Sequence, residues 1–304
     1  MEYRTKITAA SAVLGLLALT AVLGFVFSGQ QVVERQSQAP LFTHYSAAEV
    51  TGLDISGGIK LTKGTDWSLE YQGHPYPISK DRILDYLSTL ASQKRERLVS
   101  SNPDLKAYGL DTGFKTLKIL GKQGTLFEIQ VGKINDLGDK VYVRFAGDKK
   151  VWETDRSFAR TLDLSFNTWA DLSLFPGRKS TDLTRIAFEG RVVTQDKSVY
   201  GPFDLVRSDT AGKVSWENRL GKASTDGMTR WANQVAAFKF NDFASPTDPP
   251  RSSIVLGTVT LTWADGTSSQ VVIGPPDSQH RFRCTDGTLD FWINDWMISQ
   301  LLYK

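Results

Sequence analysis

The sequence predicts an α+β fold, with two tandem copies of an antiparallel-sheet-plus-helix unit behind a single N-terminal transmembrane helix. Three observations predict it. An apolar run near the N-terminus is long enough to cross a bilayer; beyond it, short runs alternate apolar and polar residues between glycine-bearing turns; and the second half of the chain repeats the order of segments found in the first. Hairpins interspersed with helices give α+β architecture and not a doubly wound parallel sheet.

The apolar run, Ile7 to Phe27, holds 21 residues without a charge. At 1.5 Å per residue it makes about 31 Å of helix, close to the thickness of a bilayer core. Val26-Phe27-Ser28 is a poor small-x-small cleavage site, so the run reads as an uncleaved signal anchor. Arg4 and Lys6 precede it, which keeps the N-terminus in the cytoplasm of a single-pass inner-membrane protein and exports the rest. The predicted organisation is a cytoplasmic tip and anchor over 1–28, a polar spacer over 29–47, a first repeat over 48–166, a linker over 167–180 containing Pro176-Gly177, and a second repeat over 181–304.

Within the repeats, VTGLDISG (Val50 to Gly57) aligns with LTRIAFEG (Leu183 to Gly190), both alternating as half-buried strands. A hairpin follows in each, carrying Trp67 or Trp216 on its second run. Next comes a helix in each, where Ser79 pairs with Ser224, Asp81 with Asp226, Tyr86 with Trp231 and Lys94 with Lys239 without a gap. Ser79 and Ser224 stand as N-caps, and the aspartates suit the positive helix end. Ile83, Leu84, Leu87, Leu90, Ala91 and Leu98 give the first helix one apolar stripe, and the cations of Lys94 to Arg97 suit its negative end. LKILGKQGTLFEIQVG and VTLTWADGTSSQVVIG are matching hairpins turned at Gly124 and Gly266, where positive φ is needed. A last hairpin and short helix end at Leu162 or Leu301, with Cys284 placed where the first copy has Phe145.

Composition narrows the function classes. With 36 basic and 33 acidic side chains the net charge is +3, which excludes a nucleic-acid-binding balance. The single Cys284 forms no internal disulfide and reads as a core residue. His44, His74 and His280 stand at no metal-ligand spacing, and no nucleotide loop, dinucleotide fingerprint or serine-hydrolase elbow occurs. The sequence therefore predicts no catalytic residues, no metal and no cofactor, and leaves ligand-binding residues unassigned. Asp286, Asp290 and Asp295 are the one cluster of carboxylates from which a glycan-acting enzyme could draw a pair. Asp286-Gly287 is a turn signature, however, and Asp295 opens the closing helix, so these residues read as turn and cap. Tryptophans at matched repeat positions (Trp67 with Trp216, Trp152 with Phe291) read as core. Trp169, Trp292 and Trp296 have no match and are candidates for a surface contact.

The Trp-bearing hairpin, the Ile-Ser-Lys-Asp helix start, the AYGLDTG segment with Tyr108, Gly109 and Leu110, FEIQVGK and KVYVRFAGDKKVWETD together resemble domain-of-unknown-function family 4340. The resemblance runs from Val50 onward and is strongest in the first copy; PPRSSIVLG replaces the Tyr-Gly-Leu segment in the second. It adds Tyr108 to the surface candidates. It implies an exported bacterial protein behind one N-terminal span, often of two such units, frequently encoded beside gliding-type ABC transporter components. It implies no reaction. The expectation is a non-enzymatic, extracytoplasmic accessory subunit that binds ABC transporter membrane subunits or their cargo. The rival expectations are a glycan-acting envelope enzyme and an envelope scaffold that binds glycan or protein.

Overall fold

The computed structural model describes residues 39–210, 213–221 and 227–304. The predicted span over 7–27, most of the predicted spacer, and the Ser224 and Asp226 helix start lie outside the described residues. Among the described residues no helix is long and apolar enough to cross a membrane. The chain divides into two compact units, Met1–Trp169 and Ala170–Lys304.

The first unit is α+β. Its strands are β1 (Val50–Ile55), β2 (Ile59–Lys63), β3 (Trp67–Tyr71), β4 (His74–Tyr76), β5 (Arg97–Ser100), β6 (Lys115–Gly121), β7 (Gly124–Ile134), β8 (Lys140–Phe145) and β9 (Val151–Asp155). They form one antiparallel sheet in the order β4-β3-β2-β1-β6-β7-β8-β9-β5. Alternation in the sequence decides which face is buried. Leu53 of β1 faces Leu61 of β2 on one side and Ile119 of β6 on the other, and all three are buried. Helix α1 (Lys80–Ser92) buries Ile83, Tyr86, Leu87 and Leu90, and the short helix α2 (Ser157–Thr161) buries Phe158.

The second unit, described by itself, is also α+β. Its strands are β10 (Leu183–Gly190), β11 (Val192–Val193), β12 (Val199–Tyr200), β13 (Phe203–Thr210), β14 (Lys213–Asn218), β15 (Asp242–Phe243), β16 (Gly257–Trp263), β17 (Ser268–Pro276), β18 (Arg281–Thr285) and β19 (Asp290–Asn294). The main sheet runs β14-β13-β10-β16-β17-β18-β19-β15, with β11 and β12 paired separately. Helices α3 (Met228–Ala236) and α4 (Ile298–Leu301) complete it. A register shift falls between Leu183 and Arg185 of β10, and another between Ile273 and Pro276 of β17. In the first unit two shifts fall at matching places, between Val50 and Gly52 of β1 and between Val131 and Ile134 of β7, and two more fall in β5 (Leu98/Ser100) and β6 (Ile119/Leu120). Gly124 and Gly266 turn their hairpins with φ of 117° and 80°, as expected of residues without a Cβ.

Several expectations are corrected. Helix α1 stops at Ser92, so Leu98 and Arg97 lie on β5 and not on a helix. Leu84 is 60 % exposed and Ala91 is exposed, which narrows the stripe to the four buried residues. Ser79 occupies the N-cap position but makes no capping hydrogen bond with its side chain; its backbone N–H donates to the Trp169 carbonyl at 2.8 Å. The cations beyond α1 do not cap it: Arg97 forms a two-pronged pair with buried Glu153, both bonds at 2.9 Å.

The largest correction concerns segments expected to be spacer and linker. Leu41 and Phe42 are buried, and the Leu41 N–H donates to the Gln93 carbonyl at 2.7 Å while the Arg95 N–H donates to the Ala39 carbonyl at 2.9 Å. Phe42 meets the rings of Phe127 and Phe158 edge-on at 5.4 and 6.1 Å. In the second unit, Leu174 and Phe175 are buried, the Leu174 N–H donates to the Phe238 carbonyl at 2.9 Å, and the Phe240 N–H donates to the Leu172 carbonyl at 3.1 Å. These backbones hook onto the residues after α1 and α3, so the folded parts begin before Val50 and Leu183.

Cys284 is also re-placed. It pairs with Ile273 and Phe291, as Val143 pairs with Val131 and Trp152; its counterpart is thus Val143, two residues from Phe145. A shift of two keeps the side chain on the same face, which is why alternation could not detect it. Cys284 is fully buried and burial pushes its thiol pKa up, so it packs as a small apolar group.

Candidate functional site

In each unit a basic residue and a tryptophan stand opposite each other across the β-hairpin that precedes the main helix. Lys63 pairs with Trp67 in β2–β3, and Arg207 with Trp216 in β13–β14. A 3-10 turn enters the first strand of each sheet, at Ala47–Glu49 and at Ser180–Asp182. Between hairpin, turn and helix lies a groove. The first, of about 480 Å³, is lined by Tyr45, Ala47, Ala48, Lys63, Trp67, Leu84, Leu87, Ser88 and Ala91. The second, of about 200 Å³, is lined by Ser180, Thr181, Arg207, Val214, Trp216, Thr229 and Asn233.

The first groove is walled by apolar side chains, Leu84 among them although it faces solvent, since the sheet-facing stripe of α1 runs through Ile83, Tyr86, Leu87 and Leu90. Tyr45 closes one end by donating its hydroxyl to the Leu87 carbonyl at 3.1 Å, and burial pushes its pKa up to about 12. It is therefore a neutral donor at physiological pH. Lys63 is exposed and has no salt bridge among the described residues, and no acidic residue lines the groove. In the second groove, Arg207 donates to the Thr181 carbonyl and lies 3.7 Å from the Asp209 carboxylate, so its charge is already engaged.

A further cleft of about 420 Å³ in the first unit carries its own occupants. Tyr71 stacks on Phe166 at 4.2 Å, and Lys115 is paired with Asp163. Its cation is already paired, and two of its aromatic rings are stacked on each other.

The sequence candidates separate. Trp169 is 1 % exposed and meets Tyr86 edge-on at 4.7 Å; it is core, not surface. Trp292 is 8 % exposed, donates its Nε1–H to Asp248 at 3.0 Å and lies under the guanidinium groups of Arg281 and Arg283 at 4.6 and 5.4 Å. It is likewise unavailable for a surface contact, because cations and an aspartate already cover it. Trp296 is 65 % exposed and retains that availability. Tyr108 is half-buried, edge-on to Tyr142 at 4.9 Å.

The residues around Tyr108 have an architectural reason. Asp104 caps a 3-10 turn over Leu105–Tyr108, Gly109 ends it with φ of 64°, and Leu110 is buried. The turn lies so close to β7 that a Cβ on Gly132 would stand 2.2 Å from the Tyr108 carbonyl oxygen. Tyr-Gly-Leu and the glycine of FEIQVGK are thus two sides of one backbone contact.

The aspartates are structural. Asp286 accepts from the N–H groups of Thr288 and Leu289, both at 2.8 Å, and Asp295 accepts from the Gln195 N–H at 2.9 Å. Asp290 pairs with Arg283 at 3.1 Å and Arg251 at 3.6 Å. Among the described residues, no three His, Cys, Asp or Glu side chains converge as metal ligands do. Lys63, Ala47, Ala48 and Leu84 were missed by sequence reasoning. The available signal was the basic residue and the tryptophan carried by the two runs of both hairpins.

A family model with the description "Domain of unknown function (DUF4340)" matches residues 67–253, more than half of the 304-residue chain. The match starts at Trp67 of the first groove and ends at Ser253, within the PPRSSIVLG segment of the second unit. No curated protein and no solved structure matches the chain.

Proposed function

The chain belongs to the DUF4340 family, and from that premise we propose that it is a non-enzymatic, membrane-anchored extracytoplasmic accessory subunit of an ABC-type transporter complex. In this reading the apolar run over 7–27 is the anchor, and the units after it are two copies of one α+β module. The parallel strand orders, the paired positions of the register shifts and the paired Leu-Phe hooks support the duplication. The transporter assignment is supported by the family resemblance.

The observation that carries a binding role is the groove: one position of the module, built twice, larger and lined by Leu84 and Leu87 in the first unit, smaller and tied by Arg207 in the second. Binding proteins reuse a fold by changing the lining of a site. The first groove is the surface through which the chain engages transporter subunits or cargo.

The test is co-purification. A C-terminally tagged full-length chain, solubilised in mild detergent, is expected to bring down transporter membrane subunits. Their absence, under conditions that preserve known membrane complexes, would overturn the transporter assignment.

A further inference from the structure

We propose that the first groove binds a single-chain amphiphile with an anionic head, its apolar stem along α1 and its head at Lys63. The inference rests on the binding role assigned above and names the class of ligand.

Three features lead to it. Leu84, Leu87, Ser88 and Ala91 fall at i, i+3, i+4 and i+7, so they form a line about 10 Å long on one side of α1. An elongated, apolar trough suits a chain of methylenes, whose transfer from water is the driving force. The two alanines of the entering turn keep the floor low, and Trp67 forms a wall. The volume, about 480 Å³, is that of a small-molecule site. At the mouth stands the ammonium of Lys63, with no salt-bridge partner among the described residues and no carboxylate in the lining, so the groove selects for a negative head.

The second groove is the internal contrast. The register that pairs Lys63 with Trp67 pairs Arg207 with Trp216, yet Thr229 stands where the first groove has Leu84, Asn233 where it has Ser88, and Ser180 and Thr181 replace the alanines. Its cation is spent on the Thr181 carbonyl and Asp209. The module therefore makes a cleft by construction, and in the first unit that cleft is the larger, carries Leu84 and Leu87 on its helix side and holds a lysine with no salt bridge among the described residues.

The experiment uses the full-length chain in lipid nanodiscs, photolabelled with a diazirine-bearing dodecanoate or with the matching dodecanol, and maps adducts by peptide mass. The expected result is dodecanoate adducts on the peptides holding Trp67 and Leu84 to Ala91, exceeding those on the peptide holding Thr229 and Asn233. Lys63→Met should lower dodecanoate labelling by roughly two- to fivefold, the range of an exposed ion pair, and leave dodecanol labelling unchanged. Leu84→Glu, at an exposed helix position, should remove both. Equal labelling of the two grooves, or labelling indifferent to Leu84→Glu, would overturn the proposal. Equal labelling by acid and alcohol with no effect of Lys63→Met would overturn the anionic head. Cross-linking of a transporter subunit at Leu84 without amphiphile labelling would make the groove a protein-docking surface and overturn it too. Absent labelling with intact co-purification rejects the ligand and keeps the accessory role; labelling without co-purification does the reverse.

Discussion

Asp290 illustrates how a side chain that looks chemical in the sequence is consumed by the fold. It accepts from Arg283 and stands near Arg251, and Arg283 in turn covers Trp292. Asp290→Ala would strand the largely buried Arg283 guanidinium and is expected to cost about 1–3 kcal/mol, in the range of hydrogen bonds to charged groups. A glycan-acting enzyme built on this residue predicts the opposite: lost function at unchanged stability. Denaturant unfolding of the variant separates the two, and an unchanged midpoint would argue against the structural role. Trp169 and Trp292 teach the same lesson. Lack of a repeat partner made them surface candidates, but a tryptophan fills whatever volume its own surroundings leave, and both are covered by neighbours distant in sequence.

At the scale of elements, the hairpins and both long helices were legible because their information is local. Alternation gives the buried face of β6 and β16, and glycine at 124 and 266 gives the turns. What was not legible depends on pairing across the chain. The end of α1 is set by backbone bonds between Gln93 and Arg95 and residues near position 40, so the charged run beyond it leaves the helix and its last residue, Arg97, opens β5. The groove depends on a hairpin, a turn and a helix meeting, and Leu84 revealed its role only by being left exposed. The Leu-Phe hooks were hidden in stretches whose polar and proline-bearing neighbours read as spacer and linker. Leu174→Ala and Leu41→Ala, each at a buried hook, are expected to lose about 2–5 kcal/mol by the usual cost of emptying a core leucine site. Chemical denaturation checks this. A loss below about 0.5 kcal/mol, the range for surface positions, would return these segments to the role of tethers.

For the whole molecule, the account joins an anchor, two modules and one working groove. Its natural thiol content makes the decisive measurement direct, because Cys284 is buried and protonated and should be silent to alkylation. Leu84→Cys would then be the one reactive thiol, set in the first groove on an exposed helix position. Spheroplasts expressing the full-length variant would be treated with a membrane-impermeant maleimide before and after lysis. The account predicts that Leu84→Cys, in spheroplasts lacking the transporter subunits, is labelled before lysis and that the wild-type chain is not labelled. Labelling that appears only after lysis would place the groove in the cytosol and contradict the account.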